Sequence, residues 1–339
     1  MVSKFRGGAR MRRLTVCLFL ALLLAVSLNG GCGPTARTGA DKRVTAVATI
    51  FPLADIAQNI GGDLVETVTL VPPGASPHTF EPTPAQMNEV ARADLIIRVG
   101  AGLDDWVTGL FETNNGAVRV VAVEAVGTDA LPYVPGVGAG DGEDRQPADG
   151  HAHSSSSSTP VDPHVWLDPV LVRDKIAPAI TAAFCRIAPQ YREQFAANLQ
   201  KYQGYLTELD GEIRAQLAGL KGASFIALHG AWQYFGRRYH LGDILSVHLS
   251  PAKEPSARWI ATLIDACRQA GVKAVLAEPQ ISPQAVEVIA GETGLPLVVL
   301  DPLGGYNVRG RESYLALMRY NARTLAKLTA QSQVEAEKR

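Results

Sequence analysis

From Val44 onward, short runs rich in β-branched residues alternate with stretches whose apolar positions recur every three or four residues. The runs 44–50, 66–71, 94–99 and 119–123 read as buried strands, and 53–61, 84–92 and 103–111 as the helices between them. Strict alternation of this kind implies a mostly parallel sheet covered on both faces. Helical signals dominate from 170 to about 220, with an interruption at Pro189. Within that stretch Phe195, Leu199, Tyr202, Leu206, Leu209, Ile213 and Leu217 form one apolar stripe over 191–217. A helix of that length predicts a rigid strut. The alternation then restarts with strands at 224–228, 244–247, 273–277 and 297–300, and Ser256 and Ser282 are predicted to cap intervening helices. The pattern thus predicts an α/β protein of two lobes with mostly parallel sheets, bridged by one long helix.

The stretch 135–160 breaks this rhythm with glycine, aspartate, a serine run and the pair His151 and His153, a composition that cannot bury a core and reads as a flexible loop. The predicted division is a signal segment at 1–31, a tether at 32–43, an N-terminal lobe at 44–188, a connecting helix at 189–220, a C-terminal lobe at 221–330 and a tail at 331–339. A chain of 339 residues, 47% of them hydrophobic, is long enough for two cores. Its net charge of −1, with no basic block beyond the first residues, removes nucleic acid as a partner.

Lys4, Arg6, Arg10, Arg12 and Arg13 precede an uncharged apolar run at 14–28, and the first acidic residue is Asp41. That is the layout of a secretory signal, and the run is shorter than the roughly 20 residues that a membrane span needs. The sequence Leu28, Asn29, Gly30, Gly31, Cys32 resembles a bacterial lipoprotein signal, in which small residues precede a cysteine that becomes the lipidated N-terminus; Asn29 departs from the pattern. The chain is therefore expected outside the cytoplasm, anchored at the outer face of the cytoplasmic membrane through lipidated Cys32, or periplasmic or secreted where Cys32 is unmodified. Cys185 and Cys267 remain, either as a disulfide or as two buried thiols.

Three histidines occupy comparable places, where a strand or loop gives way to a Pro-rich or helix-opening segment. They are His78 in Pro77 to Pro82, His164 in Asp162 to Trp166, and His229 in Ala227 to Trp232. A fourth candidate, Asp301, ends the strand at 297–300. In open α/β sheets the carboxyl ends of strands face the ligand crevice, which places His229 and Asp301 there. Imidazole nitrogen and carboxylate oxygen suit Zn²⁺, and three nitrogens with one oxygen fill a tetrahedral shell. Two of these groups come from each lobe, so an ion would cross-link them and select an arrangement in which all four converge.

The segments PHTFEPTP at 77–84 and DPHVWLDP at 162–169, the stretch 229–239 with Tyr234 and Phe235, and DPLG at 301–304 together resemble the zinc and manganese solute-binding proteins of bacterial ABC importers, the cluster A or zinc-uptake component family. The likeness runs from about Val44 to Leu328. It implies two α/β lobes bridged by one long helix, with the metal site in the interlobe cleft. Carried over motif by motif, the ligands are His78, His164, His229 and Asp301. The nitrogen donor at His229 favours Zn²⁺; relatives selective for Mn²⁺, the alternative cargo, often place a carboxylate there. The resemblance also implies a monomeric carrier that serves an ABC permease and its ATPase. The loop 141–158 weakly resembles the His- and acid-rich loop of zinc members, and reads as a solvated linker or as a low-affinity collector.

Around these positions, Glu81 is a candidate to orient His78, Glu278 is the reserve ligand, and His240 and His248 read as surface and loop residues. Trp106, Trp166, Trp232 and Trp259 read as packing residues. An exported zinc hydrolase and an adhesin-like lipoprotein with a structural metal are the rival functions. The chain contains neither H-E-x-x-H nor G-x-S-x-G, and its glycines at 136, 138, 140 and 142 lie in the flexible loop rather than between strand and helix. No enzymatic activity is expected.

Overall fold

The computed structural model describes residues 43–134, 160–247, 257–281 and 283–337, all within one unit, Arg43–Arg339. The signal and tether, Cys32, His151, His153, His248, Ser256, Ser282 and the side chain of Trp259 lie outside the described residues.

The first sheet is built from β1 (Val44–Ala48), β2 (Val65–Thr69), β3 (Leu95–Arg98) and β4 (Val118–Val121), all parallel, in the order β2-β1-β3-β4. Val44 pairs with Val65, Ala46 with Leu95, and Leu95 with Val118, which sets every carboxyl end on one edge. Helix α1 (Phe51–Gly61) follows β1 directly and buries Leu53, Ile56 and Ile60. Helix α2 (Pro84–Arg92) starts at Thr83, which forms a capping box with Gln86, and Pro84 supplies a fixed φ in the first turn. The third expected helix is instead a 3₁₀ helix, Asp105–Thr113. Its entry turn runs through Gly100, Ala101 and Gly102 at φ of 90°, 51° and 86°. Asp104, where a cap would sit, turns back to accept from Thr49 Oγ1 and Val99 N at 2.7 Å and from Gly100 N at 2.9 Å.

Helical structure resumes at Pro169–Leu171, passes through a π turn at Val172–Ile176 and continues as α3 (Ala177–Ile187). Pro189 opens a 3₁₀ turn, and the long helix α4 (Arg192–Gln216) follows. Phe195, Tyr202, Leu206, Leu209 and Ile213 are its buried positions, and Phe195 stacks on Phe184 with ring centroids 5.3 Å apart. The second sheet comprises β5 (Phe225–Ala227), β6 (Ile244–Ser246), β7 (Val275–Ala277) and β8 (Leu297–Val299) in the parallel order β6-β5-β7-β8. It carries α5 (Gln233–Arg238), α6 (Ala257–Ala270) and α7 (Pro283–Thr293). A final helix α8 (Tyr314–Glu337) runs on into the predicted tail at 331–339. Among the described residues no helix is long and apolar enough to cross a membrane.

The sheets share one interior. Ala48 and Ile97 belong to the same apolar cluster as Ala227 and Leu276, with α4 running between α1 and α3 on one side and α8 on the other. Cys185 packs against this cluster and Cys267 lies in a separate cluster under the second sheet; both thiols are free. Polar ties reinforce the junction. The Tyr234 hydroxyl of α5 accepts from Leu131 N at 2.8 Å and donates to Asp162 O at 3.0 Å. Arg238, one turn on, grips both Asp168 oxygens, with Nε at 2.7 and 2.9 Å.

Asp55 of α1 makes a further tie, accepting from Tyr314 N at 2.9 Å at the start of α8. Burial raises its pKa from 3.8 to about 6, against the lowering effect of that amide. Between these values the folded state binds more protons than the unfolded one, so the stabilising contribution is full below 3.8 and is lost as pH rises through 6. Asp55→Asn keeps an acceptor for the amide without the buried charge. Relative to wild type, the variant is expected to gain up to about 3 kcal/mol between pH 4 and pH 7, read from urea midpoints; a pH-independent difference would contradict the assignment.

Candidate metal centre

Each histidine of the centre is held by its own local device. His78 lies in the loop after β2, where its N–H donates to Ser76 Oγ at 3.3 Å and Trp106 Nε1 donates to the preceding Pro77 carbonyl at 2.9 Å. The Trp106 ring also meets Phe80 edge-on, with centroids 5.1 Å apart, so the indole grips the loop on both sides of His78. From the other lobe, Gly305 admits the loop closely: a Cβ there would lie 2.6 Å from Pro73 Cγ. His164 is set by Asp162, whose Oδ1 accepts from the His164 backbone at 2.9 Å and faces its Nδ1 at 2.8 Å. His229 follows β5, and its Nδ1 faces Glu278 Oε2 at 3.0 Å, while Trp232 Nε1 donates to Glu278 Oε1 at 2.9 Å.

With a carboxylate on Nδ1, a neutral imidazole carries its proton there and presents the Nε2 lone pair. His229 Nε2 and His78 Nε2 are 3.1 Å apart, and His164 Nε2 is buried with no hydrogen-bond partner. The ligand atoms of His78, His164 and His229 all lie within 4.8 Å of one another. Two carboxylates stand behind two of the three rings, which places negative charge near any cation held between them.

Electrostatics favour the same state. Burial drives the His164 pKa from 6.5 down to about 4, with His229 and His78 adding to the fall and Asp162 opposing it, so this ring is neutral and able to ligate across the neutral range. For Glu278, burial pushes the carboxyl up, but the His229 imidazole facing it, with His164 nearby and the Trp232 hydrogen bond, outweighs it and holds the pKa below the usual carboxylate range. Glu278 is therefore ionised.

Of the expected site residues, the structure brings together the three histidines and leaves Asp301 outside their group. Asp301 is buried, but its oxygens are engaged elsewhere. Oδ1 accepts from Leu303 N at 2.9 Å and Gly304 N at 3.0 Å, and Oδ2 pairs with Arg311 at 2.7 Å. Asn321 holds its backbone, with bonds of 2.8 Å to the amide and 2.7 Å to the carbonyl. Glu278, the reserve ligand, sits behind His229. Glu81 is exposed, and His240 is exposed in a left-handed turn at φ 56°. The residues that the motif reading missed are Asp162 as the partner of His164, Arg311, and the indole donors of Trp106 and Trp232. The Asp-Pro-His spacing was the available signal for the first of these, since an Asx-type turn returns a carboxylate to the amide two residues on.

The fold and centre define a two-lobed α/β protein with a histidine cluster at the junction of two parallel sheets. Residues 46–328 match the family model described as zinc-uptake complex component A, periplasmic (ZnuA), and the chain belongs to that family. It is 30% identical over 296 residues to the zinc-binding protein AdcA of Streptococcus pyogenes serotype M3 (strain ATCC BAA-595 / MGAS315), covering 84% of this chain and 56% of that protein. The chain thus spans about half the length of the AdcA relatives. The high-affinity zinc uptake system protein ZnuA of Bacillus subtilis (strain 168) is 29% identical over 304 residues, covering 88% of this chain and 92% of that one. A crystal structure of ZnuA superposes with a TM-score of 0.71 at 27% identity, covering 85% of this chain and 100% of the other. The periplasmic zinc-binding protein TroA of Treponema pallidum, at 22% identity and a TM-score of 0.69 over 85% of this chain and 99% of that one, shares the fold.

The carboxylates behind the rings give a direct test of the centre. Asp162→Asn and Glu278→Gln are each expected to weaken Zn²⁺ binding roughly 10- to 100-fold, measured by chelator competition, with the chain still folded by circular dichroism. Unchanged affinity in both variants would show that the centre does not depend on them.

Proposed function

We propose that the chain is an extracytoplasmic solute-binding protein that captures Zn²⁺ and presents it to an ABC permease driven by its ATPase, with no chemical step of its own. The observation that carries this reading is the group of three imidazole nitrogens within 4.8 Å, with His164 buried and two of the three rings backed by carboxylates. Nitrogen-rich donors of this kind suit Zn²⁺ better than a harder ion such as Mn²⁺. The names of the relatives, a zinc-binding protein and a high-affinity zinc uptake protein, support the same cargo.

In this reading His78, His164 and His229 grip the ion through nitrogen, and Asp301 is the acidic group that completes the shell. Ligands from separate loops of both lobes make capture sensitive to the junction between them. The family also supports a position outside the cytoplasmic membrane, and tethering through lipidated Cys32 is part of the proposal; a relative from Streptococcus pneumoniae, 27% identical, is named a zinc-binding lipoprotein. The carrier works as a monomer, folded with and without its cargo, unlike a lipoprotein stabilised by a structural metal.

Removing one of three nitrogens should be felt strongly. His229→Ala is expected to lower Zn²⁺ affinity on the order of a hundredfold or more, at least the upper range seen when an outer partner is lost, while the metal-free protein stays folded. Near-normal affinity in that variant would refute the site. Elemental analysis after competition between Zn²⁺ and Mn²⁺ should return one Zn²⁺ per chain, and a preference for Mn²⁺ would overturn the cargo.

A further inference from the structure

We propose that Arg311 sets how firmly the histidine site holds its ion, by competing with that ion for the carboxylate of Asp301. The inference rests on the reading of the three histidines as a Zn²⁺ site, and concerns what that site must displace. Arg311 lies ten residues beyond Asp301, yet its guanidinium meets Asp301 Oδ2 at 2.7 Å, with the two side chains 21% and 5% exposed. The guanidinium lies 4.7 Å from the Tyr320 ring centroid. The backbone fixes it further: Arg311 N donates to Val308 O at 2.8 Å, and Gly305 N donates to Arg311 O at 3.2 Å. Carboxylate and guanidinium are thus parts of one closed turn.

That turn adjoins the histidine centre. Trp166 Nε1 donates to Pro302 O at 2.7 Å, and the Trp166 ring lies 5.3 Å, centroid to centroid, from His164. Asp301 therefore belongs to a turn that reaches His164 through Trp166, and its carboxylate is held by two amides on one oxygen and by a monovalent cation on the other. The cation's own satisfaction is incomplete, because Arg311 Nε is buried without a hydrogen-bond partner. Such a pair is easier to exchange than a fully bonded fork.

A carboxylate in this position has two possible counter-cations. When the ion binds at the histidines, Asp301 would join its shell through Oδ2, because Oδ1 already accepts from two amides, and sharing that oxygen with a dication weakens its bond to Arg311, so part of the gross attraction is spent on loosening the pair. When the ion departs, Arg311 takes the carboxylate back, and no buried anion is left uncompensated. The guanidinium thereby lowers affinity and eases release, which suits a carrier that must surrender its cargo. Removing the positive charge strands Asp301 in the metal-free protein more than in the loaded one, and the ion is then held more tightly.

The test compares wild type, Arg311→Gln, Arg311→Met, Asp301→Asn, the double variant Asp301→Asn/Arg311→Gln and, as a control on the site, His229→Ala. Zn²⁺ affinity is read by chelator competition, and thermal unfolding is followed with and without Zn²⁺. Both Arg311 variants are expected to bind Zn²⁺ roughly tenfold more tightly than wild type, a change of one decade in Kd, to unfold at lower temperature without metal, and to gain more from Zn²⁺. Asp301→Asn should bind more weakly than wild type, and the double variant should match it. Unchanged or weaker binding in both Arg311 variants, or tightening that persists when Asp301 is already Asn, would overturn the competition. His229→Ala separates the two readings. If it leaves Zn²⁺ affinity intact, the site itself has failed; if it weakens binding while the Arg311 variants do not tighten, the role of Arg311 alone is lost.

Discussion

The structure turns on the placement of two carboxylates behind two imidazoles. Asp162 and Glu278 each face an Nδ1, and that contact decides which ring nitrogen carries the proton and which is left as a donor for a cation. Without it His164 and His229 would each be free to take either tautomer, and their convergence with His78 would be a matter of position alone. The carboxylates also supply charge where it is needed. A dication held among neutral rings, one of them buried, is costly to desolvate unless anions stand close by, and here they stand one ring away.

Convergence of this quality requires the two sheets to be fixed against each other, and the long helix α4 does this through the core. Its buried stripe meets α1 and α3 on one side and α8 on the other, so apolar packing continues from one sheet to the next. The segment 162–168 is where the lobes are sewn together. Tyr234 and Arg238 of α5, one helical turn apart, hold its two ends at Asp162 and Asp168, while Trp166 in the middle donates to Pro302 and accepts at its carbonyl from Tyr314 at 2.7 Å. His164 lies inside this stitched stretch. The His78 loop is held differently, by Trp106 from its own lobe and by the close approach of Pro73 to Gly305 from the other.

Much of this was legible in the chain. The alternation of β-branched runs and helical stretches located every strand of both sheets to within a few residues, because parallel strands buried on both faces leave a strong, short apolar signature. The three histidines were visible for a related reason: each follows a strand or loop at the edge where carboxyl ends gather. Helix α8 was legible but unread, since Tyr314, Leu317, Met318, Asn321, Ala322 and Leu325 keep helical spacing and are all fully buried. The helix expected at 103–111 is a 3₁₀ segment, Asp105–Thr113, because the Asp104 carboxylate is drawn to Thr49, Val99 and Gly100, a tertiary contact that local spacing does not show. Asp301 was visible as a residue, but its pairing with Arg311 was not. Sequence gives the end of a strand; it does not show that a guanidinium ten residues later folds back onto it.

That last difference bears on how such a centre works. Three nitrogens held ready by packed loops and carboxylates make a strong trap, and a trap alone would serve storage rather than transport. Asp301 supplies the adjustable element because its two oxygens have different partners: Oδ1 is bound to backbone amides that cannot leave, while Oδ2 is bound to a side chain that can be replaced. The turn 301–311 also reaches both lobes, touching the His78 loop through Gly305 and the His164 segment through Pro302. In the proposed reading, retention rests on the nitrogens of His78, His164 and His229 and release on the exchangeable oxygen of Asp301, so the two demands fall on different residues.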